Sequence, residues 1–451
     1  MYSKLFFQNN INAKHKNLVN VLKEKIRIYN TKIFYPHYDI PIYFSSFYNS
    51  TGLFHIQKIL RIKKNIFLNI FYILKDFFYS LNYDSLKVYG HSKKILEDKI
   101  VFTWGFKKNF LKNGSFNDKY FNINSRKCKD VAWIILFLDK EVPKVIDKNI
   151  FIIQPKKQKK LNFVLLIKHI ILNIKFIFKD FQYFLFSISS HNFLSKKFIK
   201  LVKEKLSETT KSFLIVYESQ PFQNELIKFA KKNNIKTAGY IHFPPLALPV
   251  HLLKKKYSPE KLFINGKDQK KCFQKLGWKS KDLLLVKSSR FLKNIKKNFV
   301  NKIFLPTSIK SKNIILKNLE YLIAVHKFDF TKFIIQNHPV SLNSKTHKDL
   351  IFKIEKLKKK YLNSNFVSKS TSGYSIFIGS SGTIIEALER KVKVIQITEI
   401  PIMDCYSNYF WHSIRSKKIN NFIYTYKILK QKNLINLGLK SNNLNTYFDK
   451  F

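Results

Sequence analysis

The sequence predicts an α/β protein made of two doubly wound, parallel-sheet halves that face a cleft. Three observations carry that prediction. At 451 residues the chain exceeds what one hydrophobic core usually supports. Its hydrophobic content of 45% with few Gly and Pro is that of a globular protein. From Lys211 onward, compact apolar runs are each followed by a turn and a helical pattern, the signature of βα units.

Up to about Lys160, Phe- and Tyr-rich helical patterns mix with strand-like runs at Lys99–Trp104 and Val131–Leu138. A long helical region comes next, through about Leu206. Phe213–Tyr217 is the first clear strand, and Pro221 opens a helix running to about Lys232. Thr237–Ile241 is the next strand, stopped at His242 by the Pro-rich stretch Phe243–Pro249. A boundary is therefore expected near 250–258. Beyond it a second series is expected: strand Lys261–Ile264, helix Asp268–Leu276, then strands Leu283–Lys287, Lys302–Leu305 and Phe333–Gln336. Strands Ser375–Ile378 and Val392–Ile397 close the series, with helix Thr383–Arg390 between them. The expected division is 1–255 and 256–451, two Rossmann-like halves, with the tail after about 400 packing back on the first.

The formal net charge is +55, which by itself points to nucleic acid or an anionic surface. The cations are almost all Lys. The arginines are Arg27, Arg61, Arg126, Arg290, Arg390 and Arg415, too few for the guanidinium forks on which base readers rely. The lysines are spread along the whole chain beside Asn, Ile and Phe, the pattern of a compositional bias and a solvated surface. No nucleic-acid-binding module is visible, so no specific nucleic-acid partner is expected. An anionic membrane surface or a phosphorylated substrate fits the charge better. Cys128, Cys272 and Cys405 are odd in number and far apart, which favours a reducing, cytoplasmic location. Met1–Asn10 has no signal-peptide apolar region. The apolar segments Ile66–Leu81 and Leu161–Ile188 read as buried or amphipathic helices, because the second carries Lys168, His169, Lys175, Lys179 and Asp180. Peripheral attachment at the inner membrane face is the most they predict.

Three segments fall after predicted strands, where ligands bind in open α/β sheets. In Asn337-His338-Pro339, Pro339 fixes the chain as it leaves the sheet and His338 can donate to a phosphate oxygen. In Gly379-Ser380-Ser381-Gly382-Thr383, small residues let a phosphate approach the backbone, while hydroxyls and free helix N–H groups meet its charge. Capping alone explains one of these hydroxyls, not the whole run. Glu386, one turn further on, is placed to accept from sugar or ribose hydroxyls. In Tyr217-Glu218-Ser219-Gln220, with His242 after the neighbouring strand, a carboxylate and an imidazole are candidates for the general base that deprotonates an acceptor hydroxyl. Glu218 is equally well read as a helix-start charge.

The order of these motifs, HP after a strand and then GSSGT with Glu386, resembles the C-terminal half of GT-B glycosyltransferases and related transferases. These include bacterial sialyl- and polysialyltransferases, capsule Kdo transferases and CDP-glycerol glycerophosphotransferases. The resemblance implies that His338, Ser380 and Ser381 hold the phosphates of a donor nucleotide. More of the chain is similar to the bacterial surface carbohydrate biosynthesis protein family. The resembling segments are Phe102-Thr103-Trp104-Gly105, Asn117-Asp118-Lys119-Tyr120-Phe121, Tyr217-Glu218-Ser219-Gln220, Phe263-Ile264-Asn265-Gly266 and Leu276-Gly277-Trp278. The two resemblances together imply a GT-B-like arrangement: an acceptor-side first half, a donor-binding second half, and sugar transfer from a nucleotide-activated donor to a glycan or lipid-linked acceptor.

One departure stands out. Sialyltransferases with HP motifs carry an acidic D/E-D/E-G base motif, where this chain has Glu218 followed by Ser219. No DxD motif is present, so charge stabilisation by protein groups, with neither metal nor cofactor, is expected. The alternatives are glycerophosphate transfer or nucleotide-sugar epimerisation on the same fold, and a non-catalytic basic protein that binds RNA or membrane.

Overall fold

The computed structural model describes residues 11–20, 23, 85–90, 94–156, 167, 171, 174, 190–218, 221–293, 298–362, 373–429, 434–438 and 444–451. The segment Ile66–Leu81, and all of Leu161–Ile188 but residues 167, 171 and 174, lie outside the described residues. Among the described residues, no helix is long and apolar enough to cross a membrane.

The fold is mixed α/β with two separate, largely parallel sheets. The first holds eight strands: β1 (Ser85–Tyr89), β2 (Lys99–Gly105), β5 (Val131–Phe137), β6 (Ile150–Lys156), β7 (Ser212–Val216), β8 (Lys236–Tyr240), β9 (Lys261–Ile264) and β10 (Leu283–Leu285). A two-stranded ribbon of β3 (Asn117–Asp118) and β4 (Ile123–Asn124) interrupts them in sequence. The spatial order is β1-β6-β5-β2-β7-β8-β9-β10, and each pairing is parallel except that of the edge strand β1. The chain runs outward from β2 through β5 in one direction and through β7 in the other. A topological switch point therefore lies between β2 and β7, beside the residue after β7, Tyr217, and then Glu218.

The second sheet has the order β12-β11-β13-β14-β16-β15. Its parallel part is β11 (Lys302–Phe304), β12 (Ile334–Gln336), β13 (Tyr374–Ile378) and β14 (Lys393–Ile397). The hairpin of β15 (Ile414–Lys418) and β16 (Ile423–Ile428) joins it antiparallel. The helices that matter for the site are α1 (residues 11–20), α2 (Ser190–Lys205), α3 (Pro221–Lys232), α4 (Lys267–Lys275), α5 (Lys312–Ala324), α6 (Lys345–Leu362) and α7 (Gly382–Glu389). The last two, α8 (Pro401–Asp404) and α9 (Asn445–Phe448), are single turns.

The expected break near 250–258 does not separate the sheets. β9 pairs in parallel with β8, and β10 with β9, so both extend the first sheet. The change of sheet falls between Leu285 and Lys302. The tail also divides: β15 and β16 remain in the second sheet, while Leu444, Tyr447 and Phe448 pack with Phe121, Tyr240 and Phe263 against the first.

Alternation along the strands sets the layers. Ile100 and Phe102 of β2 face one layer and Val101 the opposite one; Phe377 of β13 faces the same layer as Ile100, and Ile376 and Ile378 face away. The shared layer runs without interruption from Phe213 and Ile215 in the first sheet to Phe377, Val394, Tyr406 and Trp411 beside the second. Helix α1 joins it through His15, whose ring nitrogens pair with Ser407 Oγ at 2.7 Å and the Ile402 carbonyl at 2.8 Å.

Candidate functional site

Both sheets present the C-terminal ends of their parallel strands to one cleft of about 200 Å³. Phe243, Pro244 and Leu246, which come after β8, form its wall on the first sheet's side. From the second sheet come Leu305, Pro306 and Thr307 after β11, His338 after β12, and Ser380, Ser381, Gly382 and Thr383 after β13. Arg290 and Phe291, from the segment joining the sheets, close it.

His338 and the Ser380-Ser381 pair do not end neighbouring strands, because β11 lies between β12 and β13. The loop after β11 fills the gap with Thr307. His338 is half-buried, and burial together with the Arg290 guanidinium and His347 holds its imidazole below the usual range. Pro339 opens a short turn on the surface and lines none of the cleft.

The GSSGT run turns sharply at Gly379, whose φ of +69° is the left-handed conformation that favours glycine. Ser381 then caps α7, its Oγ accepting the Thr383 N–H at 3.2 Å, and its carbonyl accepts from the Tyr406 hydroxyl at 2.7 Å. Ser380 Oγ accepts the Ala247 N–H at 3.3 Å, tying the second sheet to the Pro-rich stretch after β8. Gly382 gives that stretch room: a Cβ there would stand 3.3 Å from both Pro244 Cδ and Pro244 O. Capping and bridging thus occupy both hydroxyls in part, while their side chains still line the cleft.

Glu386 is placed differently from its expected role. It is buried at 1% exposure and faces Arg390 four residues on, at 3.2 Å, and that arginine also donates to the Leu292 carbonyl at 2.9 Å. It contributes nothing to the cleft lining.

Glu218 and His242 lie just past the adjacent parallel strands β7 and β8 and meet, with His242 Nε2 3.5 Å from Glu218 Oε1. Both are buried. The Gln223 side chain holds the loop by accepting the Glu218 N–H at 3.0 Å and donating to the Val216 carbonyl at 2.6 Å. Tyr120 stands edge-on to His242 with ring centroids 4.5 Å apart, and Phe243 packs on it at 5.0 Å. Tyr120 is set by Asp118, which accepts the Tyr120 and Phe121 N–H groups at 2.7 and 2.6 Å and the Thr103 hydroxyl at 2.5 Å. Burial lifts the Asp118 carboxyl to about 6 against those hydrogen bonds. Burial, with Arg290 nearby, pushes the His242 imidazole well below its ordinary value, so it is neutral at pH 7. Its Nδ1 has no hydrogen-bond partner among the described residues.

Arg290 joins the two groups. It lines the cleft beside His338, and its charge acts on His338, on His242 and on Tyr120. Among the described residues no carboxylate pairs with it, although Arg126 and Arg390 are both paired. Sequence reasoning missed Arg290 because no motif surrounds it. The available signal was its rarity, as one of six arginines in a chain with 83 Lys and Arg residues. A guanidinium differs from the lysines that dominate the chain in offering planar, bidentate donation.

No protein-family model matches the chain, and no curated protein matches it. Among solved structures the chain is similar to a lipopolysaccharide outer core galactosyltransferase, WaaB, in its apo form, with 10% sequence identity and a TM-score of 0.26 over 66% of this chain and 80% of that one.

Proposed function

We propose that the chain is a glycosyltransferase-like enzyme of bacterial surface polysaccharide biosynthesis, with two GT-B-like, Rossmann-like halves built on the two sheets. It takes a sugar from a nucleotide-activated donor and passes it to a glycan or lipid-linked acceptor at the inner face of the cytoplasmic membrane. The observation that carries this reading is the convergence of Arg290, His338, Ser380, Ser381 and the N-terminal turn of α7 on one cleft. Such a set of donors suits a diphosphate or phosphodiester, whose negative charge grows as the sugar departs. Charge stabilisation then falls to the guanidinium, the imidazole and the helix N-terminus, and no metal enters the reading. Behind Phe243 of the other wall, the Glu218–His242 pair supplies the base for the acceptor hydroxyl. The resemblance of the HP and GSSGT/E motifs to donor-phosphate motifs supports the same assignment.

Calorimetric titration with CMP, UDP, GDP and CDP tests it. At least one nucleotide is expected to bind the wild type. His338→Ala should weaken that binding by about one to two decades, since a hydrogen bond to a charged group contributes on the order of 1.5–3 kcal/mol. Arg290→Ala should lose at least as much, because a bidentate guanidinium contact is removed. Unchanged affinity in both variants would refute the phosphate site. The product released on turnover separates sugar transfer from glycerophosphate transfer and from epimerisation.

A further inference from the structure

Helix α6 turns one face into the protein and the other away from it. His347, Leu350, Ile354 and Lys358 are buried at the spacing of a single helical face, and the Lys358 ammonium donates to the Phe333 carbonyl at 2.9 Å. The opposite face carries Lys345, Lys348, Phe352, Lys356 and Lys359, three or four residues apart and all exposed. On a helix that spacing makes one stripe about 21 Å long. Phe352 stands in its middle at 69% exposure, and among the described residues it is the only exposed phenylalanine.

The carboxylates of this helix are already taken: Asp349 pairs with Lys312 and Lys353, and Glu355 with Lys358 at 3.0 Å. Among the described residues, no carboxylate pairs with the four lysines of the stripe. Beside the stripe an open groove of about 530 Å³ runs between α5 and α6, lined by half-buried Leu316 and Leu357 and by exposed lysines that include Lys356 and Lys359. Its carboxylate, Glu320, is held by Lys360 at 2.9 Å.

Lysine covers this chain everywhere, so charge alone singles out no surface. What distinguishes this one is an exposed aromatic ring inside an unpaired lysine stripe, with an apolar groove next to it. An anionic bilayer has the matching layers, with phosphates to meet the ammonium groups and acyl chains beneath to receive the ring. Nucleic-acid strands are held instead on several rings, one for each stacked base, and this face has one ring and an aliphatic groove.

We infer that this face of α6 docks the protein on an anionic lipid bilayer, with Phe352 entering the boundary between headgroups and acyl chains. The contact lies in a different part of the chain from Leu161–Ile188, on which the sequence placed peripheral attachment. Helix α6 is also tied to the cleft at its N-terminal end. His347 Nε2 pairs with the Pro306 carbonyl at 2.8 Å, and Ser341 Oγ, just before the helix, donates to the Thr307 carbonyl at 2.6 Å; Pro306 and Thr307 both line the cleft. Docking through α6 thus holds the cleft near the bilayer, and this consequence rests on the lipid-linked acceptor of the reading above.

The test is sedimentation of the full chain with vesicles of phosphatidylglycerol and phosphatidylcholine, and with vesicles of phosphatidylcholine alone. The wild type should bind the anionic vesicles and leave the neutral ones. Replacing Lys345, Lys348, Lys356 and Lys359 together by Gln should lower partition by at least about thirtyfold, since each lysine near an anionic surface contributes about fivefold. The same change at Lys112, Lys129, Lys144 and Lys148, exposed lysines in loops beside the first sheet, should lower it by less than about fivefold, because screening confines the attraction to the docked face. Phe352→Ser should lose about threefold to tenfold with the charge unchanged. All these side chains are exposed, so the denaturant midpoints should match that of the wild type.

A wild type that ignores anionic vesicles, equal losses in the two four-lysine variants, or full binding by Phe352→Ser would each overturn the docking face. Vesicle binding kept by the α6 variant while binding of an RNA probe is lost would also overturn it, and would give the face to nucleic acid. Nucleotide affinity of the α6 variants should stay within about twofold of wild type. A protein that docks through α6 but binds no nucleotide would sink the donor site and leave the docking face standing, so the two failures are distinguishable.

Discussion

His242 and Glu218 read from the sequence as rival candidates for one role, and their geometry makes them a pair. His242 is neutral at pH 7 because burial and the nearby Arg290 both disfavour its charged form. A neutral imidazole can accept a proton, and Glu218 Oε1, 3.5 Å from Nε2, would stabilise the imidazolium that forms. That stabilisation exists only once charge develops, so it belongs to the transition state and not to donor binding. Glu218→Gln is therefore expected to lower kcat by about two to four decades while nucleotide affinity stays within about twofold. Tyr120 and Phe243 hold the ring in place by packing, and a glutamine leaves that packing intact. Steady-state turnover beside calorimetry on the same preparation checks the split. Full activity in the variant would remove Glu218 from the chemistry.

At the scale of elements, β8 is the strand on which the site leans. Gly239 lies within it, and a Cβ there would meet Tyr217 Cβ at 2.8 Å, Leu262 Cδ1 at 2.9 Å and Pro259 Cγ at 3.0 Å. Of these, Tyr217 Cβ sits on the backbone just past β7 and cannot withdraw without shifting the chain there. Gly239→Ala should accordingly cost about 1–3 kcal/mol, the range for overpacking a tight interior, read from the denaturant midpoint. A variant as stable as the wild type would mean that the sheet yields there freely. The strands of this region were legible because parallel strands buried on both faces are continuous apolar runs, as in Phe213–Val216 and Leu262–Ile264. Their sheet was not legible: an apolar run specifies a strand but not its partner, so β9 and β10 read as the start of a second series. The hairpin β15–β16 escaped notice because Lys417, Lys418 and Lys427 interrupt its apolar pattern. In the site, the HP and GSSGT segments were visible as local motifs. Arg290 has no such context, and the capture of Glu386 by Arg390 depends on rotamers that spacing does not reveal.

Across the whole molecule, the layer shared by the two sheets and the loops around it enclose ionisable groups in their neutral forms. Burial lowers His15 to about 4 and His251 to about 3, and His242 is lowered well below its ordinary value by burial and Arg290. In the unfolded chain each would titrate near 6.5. Between pH 6.5 and about 4 the unfolded state therefore binds up to three protons that the folded state refuses, and stability falls as pH falls. Asp118 opposes this: raised to about 6 by burial, it is protonated in the folded state where an unfolded carboxyl is not, so acid stabilises it between about 6 and 4. From these four groups the net is about two protons, or roughly 3 kcal/mol per pH unit in that interval. The +55 charge works in the same direction, since protonating carboxylates adds to a self-repulsion that is already large. The urea midpoint should hence drop steeply from pH 6.5 to 4.5. His15 apportions the effect, because it ties α1 to the Ile402 and Ser407 segment and lies away from the cleft. Replacing it by Gln removes one of the three groups, so the slope of stability against pH should become shallower by about 1.4 kcal/mol per unit, even though stability at pH 7 falls. Identical slopes in wild type and His15→Gln would show that this imidazole is not held neutral in the folded protein.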